Sequence, residues 1–187
     1  RRIAPLDAAH PPGRALRVAH APNHPHFKGT AYLEEAVERL QKEGLGIELV
    51  RIQGVSNEEV LKRFREVDLV AEQFIGGFHG YTALEAMALG KPIVATSNEG
   101  YASVISHGEQ GLLVPPKNIK ALAEALKRLI EDSSLRGKLG ASGLETVQSY
   151  DWPLVARRVL DYYQQVCGNA KPAQSRPEAS TATGAPA

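Results

Sequence analysis

The sequence predicts an α/β fold: a Rossmann-like, doubly wound parallel sheet with extra helices at its C-terminal end. Short apolar segments alternate with longer segments whose apolar residues recur at helical spacing, along most of the 187 residues. The short segments are almost continuously apolar, which is typical of parallel strands covered by helices on both faces. Hydrophobic residues make up 43% of the chain and charged residues 23%, a composition typical of globular domains.

The predicted strands are the short apolar segments that lie between helical segments and polar loops. The first of them reads Leu-Arg-Val-Ala-His, and the later ones are rich in Val, Ile and Leu. The predicted strands cover residues 16–20, 47–52, 68–71, 92–96 and 111–114.

Helices are predicted where apolar residues at helical spacing follow a capping residue. Thr30 is predicted to cap the first helix, and Gly44 fits its C-terminal end. Ser56 and Glu59 match a capping box for the second helix. The predicted helices begin near residues 30 and 56 and then cover residues 81–89, 101–107, 118–131, 134–147 and 153–166.

Composition divides the chain into three parts. Residues 1–15 are rich in Pro, Ala and Arg and are predicted to be a linker. Residues 16–167 form the predicted Rossmann-like domain, and residues 168–187 contain nothing that can form a core, so disorder is predicted there. The chain has no initiator Met, since its only methionine is Met87, and this favours a piece of a longer protein.

Charge and cysteine content exclude several functions. Twenty-two Lys and Arg residues against 21 Asp and Glu residues give a net charge of +1, so no nucleic-acid partner is expected. Cys167 is the only cysteine, which excludes an intrachain disulfide and a cysteine-based zinc site. No apolar segment is long enough to form a transmembrane helix. A cytoplasmic location is predicted, with peripheral membrane contact left open.

Ligands of doubly wound sheets bind at the carboxyl ends of the strands, which here means the loops at residues 20–29, 53–56, 72–80 and 97–101. In the first loop, Lys28 lies just before a predicted helix N-terminus, where the helix dipole and free N–H groups favour an anion. A cation at that place predicts a phosphate site. A solvated surface lysine is the alternative.

The loop at residues 72–80 contains three glycines, Gly76, Gly77 and Gly80, between a buried strand and a helix. Glycine lets the backbone approach a ligand closely, so this loop and the helix N-terminus after it predict a diphosphate cradle. A tight strand–helix turn is the alternative. The loop matches neither a Walker A motif nor the G-x-G-x-x-G dinucleotide fingerprint.

Glu85 lies among apolar residues in the helix that this loop opens. Because burying a lone charge is costly, its carboxylate requires a partner. A pair of ribose hydroxyls would serve, and so would a buried lysine or a backbone donor.

Neither a metal nor an additional cofactor is predicted. His24 and His26 form an H-x-H pair with His20 close by, but no third ligand is evident at a spacing useful for zinc. No Asp-x-Asp pair is present to hold a divalent ion. No G-x-S-x-G motif is present either, so hydrolase chemistry of that type is not supported.

Several segments together resemble the C-terminal half of a GT-B glycosyltransferase, most closely that of the large retaining group, glycosyltransferase family 4. The most specific is residues 84–96, which read Leu-Glu-Ala-Met-Ala-Leu-Gly-Lys-Pro-Ile-Val-Ala-Thr. Tyr150-Asp151-Trp152 is similar to the family's aromatic-Ser-Trp ending, and the resemblance covers roughly residues 16–166. The other matching segments are Lys28-Gly29-Thr30 and residues 72–80 and 111–116.

The resemblance implies a nucleotide-sugar site. The family's ribose-binding Glu corresponds to Glu85, and its diphosphate-binding Lys corresponds to Lys28. The turn whose amides meet the diphosphate falls on residues 77–81, with Thr82 close behind, and residues 53–55 correspond to the region that meets the base. The residues assigned to the nucleotide sugar are Asn23, Lys28, Gln53, Gly54, Gln73, Gly77, Phe78, His79, Gly80, Tyr81, Thr82 and Glu85, and those assigned to catalysis are Lys28 and Glu72.

Two positions depart from the family pattern. Asn23 stands where the family usually has an Arg, so one phosphate-neutralising charge is missing. Gly77 stands where the E-x7-E motif has its first Glu, which normally contacts the donor sugar. Glu72 and Gln73 lie upstream and are predicted to take over if the loop is re-routed. The chain looks more like a subgroup that has an Asp-Gln pair and a Gly-aromatic-aromatic-Gly turn at this place.

The activity that the resemblance implies is metal-independent, retaining transfer of a sugar from a nucleotide diphosphate sugar to an acceptor hydroxyl. Lys28 and the helix N-terminus would stabilise the leaving diphosphate. The acceptor site would come from an N-terminal Rossmann domain of the parent protein, absent here. Two alternatives stay open. One is a non-catalytic nucleotide- or partner-binding module, favoured by Asn23 and Gly77, and the other is a GT-B-like sugar-nucleotide epimerase.

Overall fold

A computed structural model describes residues 14–77 and 80–168 of the chain. Its strands are β1 (Leu16–His20), β2 (Ile47–Arg51), β3 (Leu69–Ala71), β4 (Ile93–Thr96) and β5 (Gly111–Val114). All neighbouring strands pair in parallel, in the order β2-β1-β3-β4-β5. The predicted α/β fold with a parallel, doubly wound sheet is confirmed.

Helices alternate with the strands and then continue beyond β5. The helices are α1 (Pro25–Lys28), α2 (Thr30–Lys42), α3 (Asn57–Arg65), α4 (Tyr81–Ala88), α5 (Glu99–Ala102), α6 (Ile119–Glu131), α7 (Ser133–Val147) and α8 (Trp152–Gly168), with a 3-10 turn at Gln148–Tyr150.

Alternate residues of each strand point to opposite faces of the sheet, and helices cover both faces. On β1, Leu16 and Val18 belong to one apolar core, together with residues of α2 and α6. Ala19 belongs to a second core, together with residues of α3 and α4. On β4, Val94 lies in the first core and Ala95 in the second. Because both faces are buried, the strands have nearly continuous apolar sequences.

The strand order places a crevice at one end of the sheet. After β1 the chain crosses to β2 on one side, and it later reaches β3 on the other side of β1. Where successive crossovers diverge in this way, the carboxyl ends of the strands leave a space in which ligands bind.

Three local features differ from the prediction. α1 is a helix of four residues, which is too short to show a helical period. The helix after β4 covers Glu99–Ala102 rather than residues 101–107, because Asn98 caps it and accepts a 3.0 Å hydrogen bond from Tyr101 N. The N-cap of α2 is Gly29 rather than Thr30.

The buried Lys91 shows that part of the motif at residues 84–96 serves the fold. Lys91 Nζ donates a 2.8 Å hydrogen bond to the carbonyl of Val67 and a 3.3 Å hydrogen bond to that of Arg65, at the end of α3. Burial lowers the pKa of this amine below its usual value. Within the same motif, Ala86 and Met87 are fully buried in the second core.

The chain divides into two compact units between Tyr150 and Asp151. The first contains the sheet, and the second contains α8. Within the ranges 14–77 and 80–168, no helix combines the length and the apolar character needed to span a membrane. Residues 1–13 and 169–187 lie outside the described part of the chain, so the linker, the disordered tail and the exact domain limits stay predictions.

Candidate functional site

A cleft of about 500 Å³ lies beside the residues that follow β1 and β2 and those that begin α4. This is the crevice expected from the strand order. The cleft is lined by Ala21, Asn23, Lys28, Ile52, Gln53, Gly54, Val55, Asn57, Val60, Gly80, Tyr81, Thr82 and Glu85.

The structure brings most of the predicted site residues to this cleft. The predicted residues that line it are Asn23, Lys28, Gln53, Gly54, Gly80, Tyr81, Thr82 and Glu85. Gly77 is exposed, Gln73 is buried, and neither lines the cleft. Phe78 and His79 lie outside the described residues.

Lys28 is the last residue of α1, and the turn after it requires glycine. Gly29 has a φ of 72°, in the left-handed region that favours glycine. A Cβ at this position would also lie 3.0 Å from Phe74 Cβ and from the side chain of Ile75. The Lys28 carbonyl accepts a 2.9 Å hydrogen bond from Phe74 N. Lys28 is therefore fixed to the segment after β3 by its backbone.

The side chain of Lys28 is fixed as well. Its Nζ forms an ion pair with Glu72 Oε1, and only 17% of the lysine side chain is exposed. Glu72 lies just beyond β3, and 1% of its side chain is exposed. Because a buried carboxylate requires a charged or hydrogen-bonding partner, this pair satisfies Glu72 while it keeps the ammonium group at the cleft.

Glu72 has a different position from the one predicted for a residue that contacts a donor sugar. It does not line the cleft, and the Tyr101 hydroxyl donates a hydrogen bond to Glu72 Oε2. Burial, followed by the negative charge of Glu72, raises the pKa of the Tyr101 hydroxyl well above its usual value. The tyrosine therefore stays protonated as a donor. Both oxygens of Glu72 are therefore engaged inside the protein.

Gly80 is the N-cap of α4, and none of the side chains that the structure describes caps this helix end. A Cβ at Gly80 would lie 3.3 Å from Glu72 Oε1 and 3.4 Å from Lys28 Nζ. The helix N-terminus thus begins directly against the Lys28–Glu72 pair. The free N–H groups of a helix start and a cation together form an environment that favours an anion.

Glu85 has a hydrogen-bond partner that was not predicted from the sequence. Asn57 Nδ2, at the start of α3, donates a 2.7 Å hydrogen bond to Glu85 Oε1. Both side chains line the cleft, so Asn57 belongs to the candidate site. Asn57 could have been predicted as a site residue from its position, because it directly follows the predicted cap Ser56 in the segment after the carboxyl end of β2.

His20 is buried between the sheet and α2 and does not line the cleft. Its Nδ1 is 2.8 Å from the Ala71 carbonyl, and its Nε2 is 2.9 Å from Thr30 Oγ1. A carbonyl only accepts, so Nδ1 carries the proton and Nε2 accepts from the threonine. Burial lowers the pKa of this imidazole below its usual value of 6.5.

The family model described as "Glycosyl transferases group 1" matches residues 19–146. Phosphatidyl-myo-inositol mannosyltransferase of Mycobacterium leprae is 35% identical over 143 residues, which are 75% of this chain and 38% of that protein. D-inositol 3-phosphate glycosyltransferase of a Nocardioides species is 30% identical over 171 residues, which are 88% of this chain and 37% of that protein. The chain therefore spans well under half of the length of these curated relatives.

Solved structures of low identity share the fold. Sucrose-phosphate synthase of Thermosynechococcus elongatus has a TM-score of 0.69 at 24% identity, over 86% of this chain and 47% of that one. Alr3699/HepE of Anabaena in complex with UDP-glucose has a TM-score of 0.65 at 20% identity, over 81% of this chain and 49% of that one.

Proposed function

This chain belongs to the glycosyl transferases group 1 family, and on that premise we propose that it is the donor-binding domain of a glycosyltransferase. The proposed reaction moves a sugar from a nucleotide diphosphate sugar to an acceptor hydroxyl. The observation that carries the proposal is the convergence of Lys28, the N-terminus of α4 and Glu85 on one cleft.

The proposed diphosphate position lies between Lys28 and the start of α4. Gly80, Tyr81 and Thr82, which begin this helix, all line the cleft together with the lysine. An uncapped helix start offers N–H donors and the positive end of the helix dipole, and the ammonium group adds a formal charge. Phosphate oxygens accept hydrogen bonds from the N–H groups, and their negative charge is balanced by the ammonium group.

The proposed nucleoside position lies farther along the cleft. Glu85 is one helical turn beyond the start of α4, and its carboxylate accepts hydrogen bonds from the ribose hydroxyls in this proposal. Gln53, Gly54 and Val55 line the cleft after β2 and are proposed to meet the base. The complexes of the structurally similar HepE with UDP and with UDP-glucose support a uridine nucleotide as the first ligand to test.

In the proposed reaction, the bond between the anomeric carbon and the diphosphate oxygen breaks. The acceptor oxygen bonds to that carbon and loses its proton. Negative charge grows on the leaving diphosphate, where Lys28 and the amides of α4 stabilise it. We propose that these groups act without a metal, and that configuration is retained, as the family resemblance implies.

A second Rossmann domain, N-terminal in the parent protein, is proposed to supply the acceptor site and any base. The limited share of the relatives that this chain covers, 38% and 37%, supports a longer parent. Donor binding is therefore the part of the function to be tested on this chain.

The experiment measures binding of UDP, GDP and ADP to the 187-residue chain by thermal unfolding and calorimetry. A ligand at one hundred times its Kd adds about 2.7 kcal/mol to the free energy of unfolding. We expect one of the diphosphates to stabilise the chain, and Lys28→Ala and Glu85→Ala to weaken that stabilisation strongly. Lys42→Ala and Glu38→Ala, a pair on the exposed face of α2, serve as matched controls. The absence of stabilisation by all three diphosphates contradicts the proposal.

A non-catalytic binding module is the second candidate function, because Asn23 and Gly77 replace two charged residues of the family pattern. It predicts nucleotide binding by this chain but no transfer of sugar by the parent protein. Detection of transfer by the parent protein excludes it. Conversion of a nucleotide sugar in the absence of an acceptor would instead identify the epimerase alternative.

A further inference from the structure

We propose that Tyr101 is a positioning residue for the diphosphate end of the cleft, acting through Glu72 on Lys28 and on the start of α4. This inference rests on the proposed function, since it assigns the residue that orders the proposed phosphate site. Tyr101 does not line the cleft, and its side chain is fully buried.

The first connection runs through Glu72. The Tyr101 hydroxyl donates to Glu72 Oε2, while Glu72 Oε1 holds Lys28 Nζ. A lysine side chain has several rotatable bonds, so a single ion pair leaves its ammonium group free to move with the carboxylate. The tyrosine fixes the second oxygen and thereby the orientation of the whole carboxylate. The position of the Lys28 ammonium group is set from the core of the protein.

The second connection runs to the start of α4. Glu72, the carboxylate that the hydroxyl holds, lies against this helix start through its other oxygen, Oε1. Gly80 is the N-cap of α4, and an added Cβ there would lie within 3.4 Å of both Glu72 Oε1 and Lys28 Nζ. The carboxylate that the hydroxyl orients therefore lies next to both the cation and the helix N-terminus.

The segment that carries Tyr101 is itself anchored to the loop after β3. Asn98 accepts a 3.0 Å hydrogen bond from Tyr101 N and donates to the carbonyl of Gly76 and, at 2.6 Å, to Thr96 Oγ1. The segment at residues 98–101 is thus tied to the loop after β3 at Gly76.

Packing alone does not account for a tyrosine at this position. A phenylalanine would fill the same volume without a buried hydroxyl that has to be satisfied. The hydroxyl donates a hydrogen bond to Glu72, the carboxylate that holds Lys28. We therefore expect the hydroxyl to contribute to phosphate binding rather than to the packing of the core.

The test compares Tyr101→Phe with the wild-type chain for two ligands, the nucleoside diphosphate that the wild type binds and its nucleoside without phosphates. Loss of one hydrogen bond that positions charged groups predicts a Kd for the diphosphate about tenfold higher, with the nucleoside Kd unchanged within about twofold. Tyr32→Phe, at a half-buried tyrosine that packs on the first core, is the matched control and should leave both constants unchanged. In Lys28→Ala the further effect of Tyr101→Phe should disappear, because the two residues act on one interaction.

The outcomes separate this inference from the proposed function. If the wild type binds no diphosphate, the proposed function fails. If the wild type and Tyr101→Phe bind the diphosphate equally well, the positioning role is overturned. It is also overturned if Tyr101→Phe raises the Kd of the nucleoside as much as that of the diphosphate.

Should Tyr101→Phe fail to fold, hydrogen exchange of the wild-type chain supplies the test. We expect the diphosphate, and not the nucleoside, to slow exchange of the amides at residues 98–105. Equal exchange with both ligands overturns the proposal.

Discussion

Asn57 and Glu85 join two helices across the cleft: the Asn57 amide donates a 2.7 Å hydrogen bond to Glu85 Oε1. One residue begins α3 and the other lies in the middle of α4, so the contact fixes a carboxylate between two elements that approach the same ligand space. We expect this contact to hold Glu85 in the orientation that meets the ribose.

Replacing Asn57 tests this arrangement. Asn57→Ala removes a hydrogen bond to a charged group, and we expect a Kd for the nucleoside diphosphate about three- to tenfold higher, measured by calorimetry. Ser56→Ala is the control, because it removes the cap of α3 and lowers stability by about 1 kcal/mol without touching Glu85. Equal affinities of wild type and Asn57→Ala would show that the amide does not order the carboxylate.

The proposed contact between Glu85 and ribose predicts discrimination by the hydroxyls of the ligand. The wild-type chain should bind UDP about tenfold more tightly than 2′-deoxy-UDP, because a hydrogen bond to a carboxylate is lost. In Glu85→Ala the two ligands should bind alike, though both more weakly than to the wild type. A preference for UDP that survives in Glu85→Ala places the carboxylate elsewhere than on the 2′-hydroxyl.

Two glycines of the loop after β3 offer a matched comparison. An added Cβ at Gly80 would press on Glu72 and Lys28, whereas one at Gly77 meets no atom within 4 Å. Gly80→Ala should therefore raise the Kd of the diphosphate about tenfold, by displacing Lys28 and the start of α4. Gly77→Ala should leave the affinity and the thermal midpoint unchanged. If Gly77→Ala weakens binding as strongly as Gly80→Ala, the loop reaches the ligand as the sequence resemblance implies.

Helix α7 contains a second matched pair, which tests packing rather than binding. A Cβ at Gly140 would overlap the carbonyl oxygen of Gly90, while a Cβ at Gly137 meets open space. Gly140→Ala should lower the free energy of unfolding by about 2 to 3 kcal/mol, since backbone has to move. Gly137→Ala should raise it by up to about 1 kcal/mol through helix propensity. Denaturant unfolding measures the free energy of unfolding of both variants. An unchanged value in Gly140→Ala would contradict the close packing of α7 against Gly90.

The buried His20 predicts a dependence of stability on pH. Because burial lowers the pKa of its imidazole below 6.5, the unfolded chain binds more protons than the folded chain between that lowered pKa and 6.5. The free energy of unfolding should therefore fall as the pH drops below about 6.5. His20→Gln should reduce this slope, whereas His26→Gln, in the exposed part of α1, should not. Thermal midpoints between about pH 5 and 7.5 measure this dependence of stability on pH. Equal slopes in the wild type and His20→Gln would exclude His20 as the cause.

The sheet and most of the cleft were predictable because their signals are local. Each strand is a continuous apolar segment, and Lys28 and Glu85 stand in short motifs at the ends of predicted elements. Other features depend on residues far apart in the chain. Lys28 and Glu72 are 44 residues apart, and Glu72 and Tyr101 are 29 apart, so the burial of Glu72 as a partner of the lysine had no local signal. The position of α5 did have one, in Asn98 followed by Glu99, at a helix N-terminus.

The ion pair of Lys28 and Glu72 has a consequence for selectivity in a crowded cell. The two charges sum to zero, so the pair attracts a distant anion only weakly. Orthophosphate and other small, abundant anions would gain little by entering, because they lack the groups that reach Glu85 and the loop after β2. We therefore expect a ligand that is held along the whole cleft to bind far more tightly than orthophosphate.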